Sequence, residues 1–162
     1  MSVFDFLATD DRDFPQLYSP KKHDPKGKPI FRFDSEEDLK ELELISVPRE
    51  ETYGDIPYYT SLPYILEVDW QFSPERCRQL LHHLREHMKP NRKYEFWHIW
   101  LANAHTEKTY KKGIAEGQSS IVKVGMNIME TDEQMVQQVY MQHEYLNIHF
   151  YRMPQQKRQN KK

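Results

Sequence analysis

One cysteine, Cys77, stands in 162 residues, so no disulfide can form within the chain. Glycine is scarce as well, with five in all. None falls in a phosphate-cradling loop, a dinucleotide fingerprint or a nucleophile elbow. No apolar run reaches the roughly 18 residues of a membrane-spanning helix. The first residues, Met1-Ser2-Val3-Phe4-Asp5-Phe6-Leu7, carry acids where a secretory signal would carry bases. Excess charge is also missing: the net charge is -2 with histidine neutral, which gives no global pull towards nucleic acid or an anionic membrane. These absences predict a reduced, cytoplasmic protein with no membrane partner, no cofactor and no metal.

Aromatic residues are plentiful. Ten Tyr, eight Phe and three Trp make 13% of the chain, so rings must carry much of the core. The length is that of one domain with an extension, enough for a core without disulfides.

Six periodic segments run from residue 64 to 153. Tyr64–Trp70 alternates as a strand. Ser73–Met88 opens on Ser73-Pro74-Glu75, a helix start, and carries the stripe Cys77, Leu80, Leu81, Leu84 and Met88. Lys93–Asn103 and Ser119–Met129 read as strands. Thr131–Gln142 begins with a capping-box pattern from Thr131 to Gln134. Its buried side is expected at Met135, Val136, Val139 and Tyr140. Glu144–Met153 alternates again. The order strand, helix, strand, strand, helix, strand predicts an α+β, ferredoxin-like βαββαβ sandwich. It would have a four-stranded antiparallel sheet, two helices on one face and an N-terminal extension.

Residues 1–60 read as an arm packed on that core. Prolines 15, 20, 25 and 29 point to an extended, partly mobile stretch over residues 1–30. Ile30-Phe31-Arg32-Phe33 alternates as a short strand. Ser35 offers an N-cap for a helix carrying Leu39, Leu42 and Ile45 that ends before Pro48. Residues 61–153 form the domain, and residues 154–162 form a disordered basic tail.

Helices must cover one sheet face. Leu66, Val68, Ile99, Leu101, Val124, Met126, Leu146 and Ile148 suit that face. The other face would then display Glu67, Asp69, Tyr94, Phe96, His98, Trp100, Tyr145, His149 and Tyr151, which form the candidate binding surface. Rings mixed with charge are unusual for a solvated face and too polar for a dry core. Either the arm folds over it, or a partner protein docks there, or a small ligand binds.

Local spacing offers three candidate chemistries. Glu67 and Asp69 share a strand face about 7 Å apart, and with His98 and His149 they could form an acid–base cluster or a metal site. His83 and His87 share a helix face at i, i+4, but His82, His83 and His87 lack the Glu of a His-Glu-x-x-His site. Cys77 lies in the apolar stripe, as a structural thiol would. RNA recognition is disfavoured, because the third strand offers Lys123, Gly125 and Asn127 where stacking rings are needed.

With no catalytic motif, the chain is expected to be a non-enzymatic protein-binding module, inhibitor-like or immunity-like. Its partner would be another protein or a second copy of itself. The alternative is a small-molecule-binding or enzymatic domain using the Glu/Asp/His cluster.

Overall fold

The computed structural model describes residues 2–19, 26, 28, 41–49, 59–101 and 121–154. Six strands form one sheet: β1 (Ser2–Thr9), β2 (Glu43–Val47), β3 (Tyr64–Asp69), β4 (Tyr94–Leu101), β5 (Val122–Asn127) and β6 (Tyr145–Tyr151). Helix α1 (Pro74–His87) joins β3 to β4, and helix α2 (Glu133–Gln142) joins β5 to β6. The sheet order is β2-β3-β1-β4-β6-β5. Neighbours are antiparallel except β5 and β6, which are parallel.

The protein is therefore α+β, but the expected four-stranded antiparallel ferredoxin-like sheet is replaced by six strands of mixed direction. In the expected order the last strand would lie beside the first of the βαββαβ set. Here β6 lies between β4 and β5, and β1 separates β3 from β4. The reason lies in β1. Phe6, Leu7 and Ala8 are all fully buried, and they alternate between two cores. A strand apolar on both faces belongs inside a sheet, covered on both sides. The segment expected to lie over the sheet thus enters it. Phe6 faces Glu67 on one side and Trp97 on the other.

The larger core lies between the helices and the sheet. From α1 it takes Cys77, Leu80, Leu81 and Leu84, and from α2 it takes Val136. These meet Leu7, Leu66, Phe96, Met126, Leu146 and Ile148 from the strands. Truncating one such ring, as in Phe96→Ala, costs about 3–5 kcal/mol at a well-packed site. Helix α1 starts where the sequence placed it: Ser73 caps it by accepting from the Arg76 N–H at 3.2 Å. Helix α2 is capped one residue later than expected, by Asp132, whose carboxylate accepts from the Met135 N–H at 2.9 Å. Thr131 instead donates to the Asn127 carbonyl at 2.6 Å. Met135 stands exposed rather than on the buried side.

A second, smaller core covers the opposite face. Phe6, Ala8, Ile65, Trp97 and Ile99 are buried there beneath Tyr59 and Leu62. Strand β4 therefore has apolar neighbours on both faces, and its side assignment differs from the expected one. Tyr94, Phe96 and His98 face the helices, while Trp97 and Ile99 face away from them.

Ile45 lies in β2 rather than in a helix. That strand is held at its outer edge by the backbone of Leu17, which exchanges hydrogen bonds with Leu44 at 3.0 and 2.8 Å. The short strand expected at residues 30–33, the helix start at Ser35 and the tail from residue 155 lie outside the described residues, as do residues 50–58 and 102–120. Among the described residues no helix is long and apolar enough to cross a membrane.

Candidate functional site

The sheet ends in a cleft of about 610 Å³. The first residues of β1, the last of β3, the turn before α1 and the end of α2 form its walls. Asp5 sits at its base and is buried to 6% exposure. Its Oδ1 lies 2.6 Å from His98 Nδ1. Its Oδ2 accepts from Trp70 Nε1 at 2.7 Å and from the Tyr140 hydroxyl at 2.7 Å. Four elements thus meet on one carboxylate.

Local rules explain each placement. Asp5 and His98 are register partners on β1 and β4, so their side chains leave the same sheet face. Trp70 follows β3 directly and packs edge-on against Phe72 and Tyr140. Tyr140, in the last turn of α2, stacks on Phe72 with ring centres 4.1 Å apart. It also lies over the His98 ring at 4.0 Å. Burial pushes the Tyr140 phenol up, and the charge and hydrogen bond of Asp5 push it further. It therefore stays a protonated donor in water near neutrality.

This arrangement has a definite chemical capacity. A carboxylate on Nδ1 fixes the neutral imidazole tautomer with its proton on Nδ1, which makes Nε2 the basic nitrogen. The same carboxylate stabilises the imidazolium if Nε2 takes up a proton. Trp70 and Tyr140 hold Asp5 in place, so the ring is oriented through a shell of donors rather than by a single contact.

The predicted surface residues divide between places. Glu67, Asp69 and His98 all line the cleft, but they do not share a sheet face as expected. Glu67 and Asp69 leave β3 on the side of Ile65 and Phe6, whereas His98 leaves β4 on the helix side, because β4 is turned over. Burial and then the neighbouring Asp69 charge raise the Glu67 carboxyl above its ordinary value. Tyr94 and Phe96 lie in the helix-side core, both fully buried. Tyr94 donates to Asp11 at 2.9 Å there and accepts from the Lys89 N–H at 2.9 Å. Tyr145, His149 and Tyr151 lie on the far face of β6 and do not line the cleft. The side chain of Trp100 lies outside the described residues.

Asp5, Trp70, Phe72 and Tyr140 are absent from the sequence-derived surface. An acid inside the apolar run from Val3 to Leu7 is the signal that points to Asp5. Nothing local marks the other three as its partners.

The remaining candidates have structural roles. His83 is buried, with Nε2 2.9 Å from the Pro15 carbonyl, and burial holds its pKa below the usual histidine value. His82 pairs with Glu86 at 3.0 Å. Burial pushes the Cys77 thiol up to about 12, which leaves it protonated and inert. Among the described residues, no three His, Cys, Asp or Glu side chains gather to hold a metal ion.

Comparison with protein-family models, with curated proteins and with solved structures gives no match to this chain.

Proposed function

We propose that the cleft is a small-molecule binding site and that His98, oriented by Asp5, exchanges a proton with the bound ligand. One observation carries this reading: the 2.6 Å contact between Asp5 Oδ1 and His98 Nδ1 at the base of a cleft of about 610 Å³. Ligand sites are typically clefts of this size, with a few converging polar groups among rings. Buried acid–imidazole pairs cluster at such sites because desolvation strengthens their electrostatics. The reading keeps His98 of the expected cluster, with Glu67 and Asp69 reaching the cleft from the other face of β3.

The test is a fragment library of amines, carboxylates and amides, screened on the full chain by NMR. Binders should shift the Trp70 indole and His98 resonances, and His98→Gln should weaken them. Binders that all map away from the cleft would overturn the reading.

A second reading rests on β6. Tyr151 is exposed beside His149, with Tyr145 part-exposed on the same strand face. Exposed tyrosines are frequent anchors at protein interfaces. On this reading Tyr151→Ala abolishes capture of a partner protein or of a second copy and leaves the cleft untouched.

A further inference from the structure

Two buried polar atoms on the face away from the helices have no partner among the described residues: Trp97 Nε1 and Asn147 Oδ1. Their residues are 2% and 5% exposed. Trp97 of β4 and Asn147 of β6 are register partners, so both side chains leave the same face side by side. Neither residue lines the cleft, so the pair stands apart from it.

Neither side chain is free to turn towards water. The Trp97 ring is stacked on Phe6 with centres 5.9 Å apart and meets the Tyr59 ring edge-on at 5.6 Å. The Asn147 amide is held by its other end. Its Nδ2 donates to Glu95 Oε2 at 3.1 Å, and Glu95 Oε1 accepts from the Thr60 hydroxyl at 2.7 Å. Arg49 fixes Thr60 in turn by donating to its carbonyl at 2.6 Å. Turning the amide over would press its oxygen against the Glu95 carboxylate. A relay of hydrogen bonds thus sets one acceptor beside one fixed donor. Phenylalanine at position 97 would pack there without burying a donor. An unpaired buried polar group costs stability, and departures of this kind concentrate at functional sites.

The pair selects its guest by hydrogen-bonding function. An ammonium would leave the indole N–H unpaired. A carboxylate would satisfy Trp97 but set its charge against the Asn147 oxygen. Either ion would also lose its hydration among Phe6, Ile65 and Ile99. A carboxamide holds an acceptor and a donor on two atoms of one plane, which suits two fixed groups on neighbouring strands. Ile121 and Tyr145, part-exposed and packed against the same core, offer apolar contact to the remainder of such a ligand.

We infer that Trp97 and Asn147 bind the carboxamide of a small neutral ligand, whose carbonyl accepts from Trp97 Nε1 and whose N–H donates to Asn147 Oδ1.

The test uses three probes of one shape. Isobutyramide, 3-methyl-2-butanone and isobutyrate carry the same isopropyl group on an amide, a ketone and a carboxylate. Each is titrated into the full chain by NMR, and the Trp97 indole N–H and Asn147 side-chain resonances are followed. Isobutyramide should move both and bind about tenfold or more tightly than the ketone, which cannot donate to Asn147. Isobutyrate should not bind there. Trp97→Phe should weaken isobutyramide about tenfold, read on the Asn147 resonance.

Equal or tighter binding of the ketone or the carboxylate at these resonances would overturn the inference. So would an unchanged isobutyramide affinity in Trp97→Phe; if that variant fails to fold, the comparison of probes on the parent chain decides. If no probe moves the Trp97 indole resonance, the pair serves an ordered water alone and the inference fails.

Discussion

Replacing Asp5 with alanine is the sharpest test of the cleft's construction. The substitution leaves three donors without their acceptor: His98 Nδ1, Trp70 Nε1 and the Tyr140 hydroxyl. An unpaired buried donor costs about 1–3 kcal/mol. His98 is 3% exposed and bears the full cost, whereas water can reach the part-exposed Trp70 and Tyr140 and relieve theirs. The sum is about 3–5 kcal/mol, the size seen when one partner of a buried pair is removed. A chain this long melts roughly 2–4 °C lower for each kcal/mol lost, so Asp5→Ala should melt about 6–20 °C below the parent. Circular dichroism melts and urea titrations measure both quantities. The exposed Asp13→Ala on the same stretch should change stability by no more than about 0.5 kcal/mol. Tyr140→Phe should cost about 1 kcal/mol alone and much less in the Asp5→Ala background, because its acceptor is already gone. A loss below about 1 kcal/mol for Asp5→Ala would refute the reasoning. It would mean that the three hydrogen bonds do not hold in solution.

Three further outcomes follow from other groups. Iodoacetamide should leave Cys77 unmodified in the native protein at pH 8 and label it once urea unfolds the chain, because burial has pushed the thiol up to about 12; mass spectrometry reads both states. Burial alone would raise Asp11, but hydrogen bonds from Tyr94, Lys89 and the Asp13 N–H, together with the Lys89 charge, hold it below its ordinary 3.8. A carboxyl depressed on folding stabilises above its unfolded value, and that contribution is lost as pH falls through the lower folded value. The stability gap between the parent and Asp11→Asn should therefore close as urea titrations are taken from pH 5 to about 2. Glu67 has the opposite sign, being raised above 4.5. Glu67→Gln should match the parent in acid and become the more stable of the two as pH rises to neutrality, by the same assay; parallel curves would contradict it.

The sequence made the helices and most strands legible, because each has a face apolar at its own period. Ser73-Pro74-Glu75 and the Cys77-to-Leu84 stripe define α1 without tertiary help. Strand β1 was hidden by its surroundings: Asp10 to Asp13 and the prolines that follow made its flank read as a loose arm. Strand β4 was found but turned over. Tyr94, Phe96, Trp97 and Ile99 are all buried, so alternation could not tell one face from the other. That ambiguity divided the candidate surface between two faces. It also parted His98, on the helix side, from Glu67 and Asp69, which leave the opposite face of β3. The groups that join His98, namely Asp5, Trp70 and Tyr140, reach it only through sheet order and helix docking, which no short pattern encodes.

The inner position of β1 also shapes how this sheet is assembled. Within the described sheet, the hydrogen-bonded ladder runs from β2 and β3 to β4, β6 and β5 through β1. On the ribosome β1 is made before either of its neighbours and must wait until Tyr94–Leu101 has emerged. Closing such long loops slows folding and leaves the segment from Val3 to Leu7 unpaired meanwhile. A short apolar strand in that state is a template for aggregation, which a charge in its middle discourages. Asp5 is that charge, so the carboxylate that anchors the finished cleft also guards the nascent chain against its neighbours.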